Sequence, residues 1–253
     1  MLAAIRSVVT YVAILAYIAV AGPVALVIGG LLRWKGGTYA LGHGGVWLAL
    51  TLAGVRYRVS GRGHMPQTAV VFCSNHESNV DAAVLFESLH RRLHVLYKAE
   101  LHRFPVMGTV MDVGGFVPID RQDREQAIEA LRRGAASLRA GNSFLIFPEG
   151  TRSRTGRLLP FKKGGFIMAI EAQVPIVPVA IQGGRAAMRK GSAVVRPVEV
   201  SVRIGEPVPT AGLVAQDRDA LIARVRGAVQ GLLDEGSLWE ESRNRPGPGA
   251  RTR

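Results

Sequence analysis

The hydrophobic pattern changes character near Val55. Before that point apolar residues run almost without a break; after it, short apolar runs alternate with amphipathic stretches. Ser7–Leu32 is a run of 26 uncharged residues, about 39 Å as helix against a hydrocarbon core of roughly 30 Å. Pro23 interrupts it, as helices within a bilayer tolerate. The run is too long for the apolar region of a signal peptide and Arg6 is a poor leading charge, so an anchor is expected rather than a cleaved leader. A second apolar stretch, Thr38–Val55, follows the turn-like Trp34-Lys35-Gly36-Gly37 and contains His43 and several glycines. Two arrangements fit: one spanning helix with an interfacial second helix, or a helical hairpin dipping into one leaflet. In both, Trp34 and Trp47 suit the headgroup level.

Beyond Val55 the apolar runs Val55–Val59, Ala69–Cys73, His94–Tyr97, Gly115–Ile119, Ser143–Phe147, Ile176–Ile181 and Val198–Ile204 predict strands. Gln122–Arg139 predicts a helix with Ile128, Leu131 and Leu138 on one face and Gly141 as its C-cap; Asp217–Leu233 does so with Leu221, Val225, Val229 and Leu232. Strands separated by helices give an α/β fold with a mixed, largely parallel central sheet flanked by helices. The expected organisation is a membrane-anchoring helical segment over 1–55, an α/β domain over 56–239 and a disordered basic tail over 240–253.

Composition sharpens the choice of partner. The net charge is +13 and no Asp or Glu precedes Glu77, while Arg6, Arg33, Lys35, Arg56, Arg58 and Arg62 all do. A segment both apolar and uniformly cationic suits an anionic lipid surface. Nucleic acid fits poorly: aromatics are 6% of the chain and the basic residues form no single helical stripe. The single cysteine, Cys73, excludes an intrachain disulfide and a cysteine-rich zinc site.

Three short segments carry chemistry. Asn75-His76-Glu77-Ser78-Asn79-Val80-Asp81 sits where a predicted strand gives way to a helix. On one continuous helix, residues five apart point about 140° away from each other. His76 and Asp81 therefore meet only if His76 lies in the loop and Asp81 in the first turn. Ser78-x-x-Asp81 reads as a capping box that would start the helix at Ser78. In that geometry His76 is a general base oriented by Asp81; the plainer alternative is a surface histidine beside a capping carboxylate. Phe147-Pro148-Glu149-Gly150-Thr151-Arg152-Ser153 packs a carboxylate, a glycine, a hydroxyl and a guanidinium into four positions. That suits a phosphate-gripping loop, or else a solvated turn. Gly115–Arg121 delivers Asp120-Arg121 at the end of an apolar strand, and Lys98, Lys162 and Lys163 are further cationic candidates.

Together these residues resemble the glycerolipid acyltransferase family, most closely its 1-acylglycerol-3-phosphate acyltransferase branch, from about Ala69 to Val179. Asn75-His76 to Asp81 is similar to the family's first motif, Gly115–Arg121 to the second, Phe147–Ser153 to the third and Val174–Val179 to the fourth, in the family's order. Lys98–Leu101, Pro105–Gly108 and Phe161–Gly164 are smaller echoes. Pro118 departs from the second motif; proline lacks a ladder donor and favours an edge strand or bulge.

The resemblance implies direct acyl transfer from acyl-CoA or acyl-carrier protein to a glycerol hydroxyl, with sn-2 of lysophosphatidic acid the expected one, without a resident cofactor or metal. His76 would deprotonate the hydroxyl and Asp81 orient it. Arg121, Glu149, Gly150, Thr151 and Arg152, with Lys98 and Lys162, would bind the glycerol phosphate. Glycerol 3-phosphate or another lysophospholipid is the alternative acceptor. A metal-dependent hydrolase using His76, Asp81 and Glu149 is the reading of a different class, with only one imidazole to offer. Cys73 and Ser74 read as strand and turn residues rather than acyl carriers. The donors are cytosolic, so the α/β domain would face the cytoplasm. An excess of 27 Arg over 5 Lys points to a GC-rich bacterial source and hence a plasma membrane.

Overall fold

The computed structural model describes residues 2–89, 93–103, 108, 111–112, 114–120, 123–188 and 191–244. Every predicted strand is present to within two residues: β1 Val55–Ser60, β2 Val71–Ser74, β3 Leu93–Lys98, β4 Val117–Ile119, β5 Ser143–Ile146, β6 Ile176–Gln182 and β7 Val198–Ile204. They form one sheet in the order β1-β7-β6-β2-β5-β3-β4. Strands β2 to β6 run parallel; β7 pairs antiparallel with β6, and β1 follows β7. All four residues of β2 and of β5 are buried, as central parallel strands covered on both faces require. Pro118 lies in β4, which ends the sheet, so its missing N–H costs no ladder bond.

The side chains of β2 alternate between two cores. Val71 and Cys73 pack with helices Arg124–Arg139, Gly164–Ala172 and Arg218–Asp234; Val70 and Phe72 pack with Lys35–Ala53 and Val80–Leu89. Helix Arg124–Arg139 is capped by Asp123, which accepts from the N–H groups of Glu125 and Gln126, and it ends at Gly141 with φ +89°. Its buried stripe matches the expected one only in part: Leu138 is buried and Leu131 packs against the core, but Ile128 does not. Ala130, Gly134, Ala135 and Leu138 are buried while Ile128 is 41% exposed. The cause is a close helix crossing: a Cβ at Gly134 would overlap Met168 Sδ, so the contact is made through small residues.

The N-terminal stretch is a hairpin of α1, Leu2–Leu26 extended by a π-helical turn to Leu31, and α2, Lys35–Ala53. Leu2–Leu31 is long and apolar enough to cross a membrane, and its apolar side chains are largely exposed. The glycines of α2 serve the crossing: side chains at Gly44 or Gly45 would collide with the Tyr17 ring, whose hydroxyl donates to Leu41 O at 2.8 Å. Both ends of the hairpin are tied to the α/β domain. At one end Ser7 Oγ accepts from Val195 N–H (2.8 Å) and Tyr11 donates to Ala193 O. At the other, Tyr39 donates to Leu93 O, and His43 Nδ1 lies 2.7 Å from Glu87 on Val80–Leu89.

The tail expected to be disordered from Glu240 instead begins within a helix, Leu238–Asn244. Arg203 pairs with Glu241, Arg243 with Glu199 at 3.1 Å, and the Arg58 guanidinium lies 3.9 Å over the Trp239 ring. These contacts with β1 and β7 order a segment whose composition alone argues against order. Residues 245–253 of that expected tail lie outside the described residues.

Candidate active site

Five parallel strands end on one edge of the sheet, and the sequence motifs leave from those ends: His76 after β2, Lys98 at the end of β3, Asp120 after β4, Glu149 after β5 and Gly183 after β6. Open α/β sheets place ligands at this carboxyl edge.

His76 lies in the loop and Asp81 in the first turn of the helix that follows, with Nδ1 3.0 Å from Asp81 Oδ2. The histidine side chain is 18% exposed and the aspartate is fully enclosed. The capping box is only half made. Asp81 Oδ2 accepts from Ser78 N–H (2.7 Å) and Glu77 N–H (2.6 Å), but Ser78 Oγ donates to Met188 O at 3.2 Å instead of capping the helix. The helix therefore starts at Val80, two residues later than the box predicts.

Other partners of the loop come from far along the chain. The Asn75 side chain donates to Ile181 O and accepts from Ile181 N–H, both at 2.8 Å, which locks the loop to β6. Phe147 stacks on the His76 ring with centroids 4.1 Å apart. The buried Glu149 turns inward: Oε1 accepts from His76 N–H (2.8 Å) and Oε2 from Leu159 N–H (2.9 Å). Burial raises its carboxyl above the usual range, against those two hydrogen bonds. Glu149, expected to contact the acceptor, thus has both oxygens engaged in holding backbone.

Gly150 adopts φ +68°, and the Lys162 side chain lies across it so closely that a Cβ would collide with Lys162 Cε and Nζ. Thr151 is exposed and Arg152 half-buried; among the described residues the Arg152 guanidinium and the Lys162 ammonium have no hydrogen-bond or ion-pair partner. Ser153 N–H donates to His76 O at 2.8 Å, which joins this loop to the histidine loop. Lys98 closes β3 opposite Ile119, at the same edge. Arg121 lies outside the described residues.

Glu77, which sequence reasoning gave no role, has a carboxyl pushed up to about 7. Burial is the main cause and Asp81 adds to it, while the Arg185 N–H pulls it back. Cys73 is fully buried, which pushes its thiol up, and Ser74 Oγ donates to Asn75 O, so neither is presented as a nucleophile. Among the described residues no group of three or more His, Cys, Asp or Glu side chains is arranged to hold a metal ion.

A family model described as Acyltransferase matches residues 56–182. The 1-acyl-sn-glycerol-3-phosphate acyltransferase of Limnanthes douglasii is 34% identical over 164 residues, 64% of this chain and 58% of that protein. The human 1-acyl-sn-glycerol-3-phosphate acyltransferase alpha is 36% identical over 186 residues, 73% of this chain and 66% of that protein. The chain thus spans less than two thirds of the length of these relatives. The crystal structure of the 1-acyl-sn-glycerophosphate (LPA) acyltransferase PlsC from Thermotoga maritima matches with a TM-score of 0.79 and 25% identity, over 91% of this chain and 94% of that one. The family model takes in the loops after β2 and β5 and reaches to the end of β6, where the histidine loop is anchored; this chain belongs to the Acyltransferase family.

Proposed function

We propose that this chain is a 1-acyl-sn-glycerol-3-phosphate O-acyltransferase, moving a fatty acyl group from acyl-CoA or acyl-carrier protein to the sn-2 hydroxyl and yielding phosphatidic acid. The observation that carries this reading is the 3.0 Å contact between His76 Nδ1 and Asp81 Oδ2 at the carboxyl edge. Oδ2 already accepts from two backbone N–H groups, so Nδ1 is the donor and Nε2 holds the lone pair. Nε2 takes the proton of the acceptor hydroxyl as its oxygen attacks the thioester carbonyl. The new C–O bond forms, the C–S bond breaks, and the leaving thiolate takes the proton from the imidazolium. A thioester is already activated, so no acyl-enzyme is needed, in keeping with the buried Cys73.

Arg152 and Lys162, cationic and uncommitted among the described residues, bind the acceptor phosphate with Gly150 allowing close backbone approach. Arg121 and Lys98 join them on this reading. Glu149 acts by positioning. The names of the relatives and of PlsC support lysophosphatidic acid as acceptor. Because both ends of the hairpin are tied to the domain, we place it in one leaflet rather than across the bilayer, with the domain on the cytoplasmic side of a bacterial plasma membrane where the thioester donors reside.

The test offers the full chain palmitoyl-CoA in phospholipid vesicles with lysophosphatidic acid, lysophosphatidylcholine or glycerol 3-phosphate. Phosphatidic acid should form from lysophosphatidic acid at least about tenfold faster than product from the choline lipid, since charge-assisted phosphate contacts are the stronger kind. Product from glycerol 3-phosphate alone would move the acceptor. Hydrolysis without transfer, abolished by chelator, would favour the metal-dependent hydrolase.

A further inference from the structure

The donors around Asp81 are one-sided. Three of them converge on Oδ2, while Oδ1 is buried and has no hydrogen-bond partner among the described residues. What stands against Oδ1 is backbone. Gly184 opens the short turn Gly184–Ala187 after β6, and a Cβ there would overlap Oδ1 and come within 3.4 Å of Asp81 Cγ and Ser78 Cβ. The chain enters this turn through Gly183 at φ +97°, where a side chain would strike the Glu199 carbonyl. The same segment holds the histidine loop elsewhere: Ile181 grips Asn75, Arg185 N–H donates to the Glu77 carboxyl and Met188 O accepts from Ser78.

We propose that Gly184 is a positioning residue for acyl transfer: its missing side chain forms the slot that receives Asp81 Oδ1 and thereby aims Oδ2 at His76 Nδ1. The terminal torsion of an aspartate is broad and roughly two-fold. Hydrogen bonds to one oxygen leave the carboxylate free to swing about that oxygen; a wall against the other removes the freedom. Gly184 acts through Asp81 and touches no substrate, and its role rests on the assignment of His76 as base in the proposed function.

The test is a double-mutant cycle of Asp81→Ala and Gly184→Ala, in full chain reconstituted in vesicles with palmitoyl-CoA and lysophosphatidic acid. Gly184→Ala should lower kcat about 10- to 100-fold with the acceptor KM within about threefold, the signature of a misplaced catalytic group. In the Asp81→Ala background, where the collision partner is gone, the same change should alter kcat by less than about twofold. The melting temperature should follow: Gly184→Ala costs less in the Asp81→Ala background than in the wild type. An unchanged kcat in Gly184→Ala, or an equal loss of activity or melting temperature in both backgrounds, overturns the proposal. If Gly184→Ala does not fold, the double variant must; its failure overturns the proposal too. Absence of acyl transfer in the wild type would instead refute the proposed function, and the melting temperatures would still test the Gly184–Asp81 contact.

Discussion

Residues 75–81 and residues 148–163 meet at the carboxyl edge of the sheet, and they treat their polar groups in opposite ways. In the first loop, Asn75, Ser78 and Asp81 are buried and bonded to protein. In the second, the backbone is equally well held: Ser153 Oγ donates to Arg157 O and accepts from Gly156 N–H, and Glu149 clamps two N–H groups. Its cations, however, Arg152 and Lys162, are left uncommitted among the described residues. On the proposed function, with His76 as base and Arg152 and Lys162 on the acceptor phosphate, the contrast separates two requirements. A base needs one orientation, which burial and redundant hydrogen bonds supply. An anion-binding group needs its charge uncompensated until the ligand arrives, because a pre-existing partner would have to be displaced.

Three measurements would break or sharpen this contrast. The largest effect belongs to the buried loop: His76→Ala should lower kcat by about 10²–10⁴-fold in the vesicle assay, the usual worth of general-base catalysis. Retained activity would mean that the buried dyad is only structural. Next comes the open loop. Arg152→Ala should raise KM for lysophosphatidic acid about 10- to 100-fold with kcat within about threefold, as losing one charge-assisted contact predicts. It should also narrow the preference over the choline lipid, and a fall in kcat alone would assign Arg152 to the chemistry.

The smallest effect concerns the cost of burying charge beside the dyad. The Glu77 carboxyl is raised in the folded chain from 4.5 to about 7. The folded state thus holds the proton more tightly, and this contribution to stability is fully present below about 4.5 and lost as pH rises through about 7. Glu77→Gln should therefore melt close to the wild type near pH 4.5 and above it at pH 8, by the equivalent of about 1–3 kcal/mol. A variant less stable than the wild type at pH 8 would show that the ionised carboxylate is needed.

The strands were legible because each is a short apolar run bounded by turn residues, and the signal of a buried parallel strand lies within the run itself. The placement of His76 before the helix and Asp81 within it was legible from their spacing taken with the capping box Ser78-x-x-Asp81. The reversal of β7 and β1 was not legible, since pairing direction leaves no local trace. Nor were the groups that hold the dyad. Asn75 and Ile181 are 106 positions apart, and His76 and Glu149 are 73 apart. In the sequence Glu149 reads as one more ligand of a phosphate loop; only the fold shows its carboxylate facing backward. The helix Arg124–Arg139 was read by its large residues, whereas its packing is set by Gly134, a residue that hydrophobic periodicity scores as nothing.

On the proposed function, with the hairpin seated in one leaflet and lysophosphatidic acid and a thioester as substrates, the tethering of the α1–α2 hairpin at both ends has a kinetic consequence. A domain fixed at a set height above the acyl chains meets its acceptor by lateral diffusion within the leaflet, in two dimensions. The acceptor concentration that governs rate is then a surface mole fraction. Diluting lysophosphatidic acid with inert lipid would slow the enzyme, while diluting the vesicles in buffer would leave encounters with the acceptor unchanged. The thioester donor arrives from water and obeys ordinary bulk concentration, so the two substrates of one reaction are counted in different units.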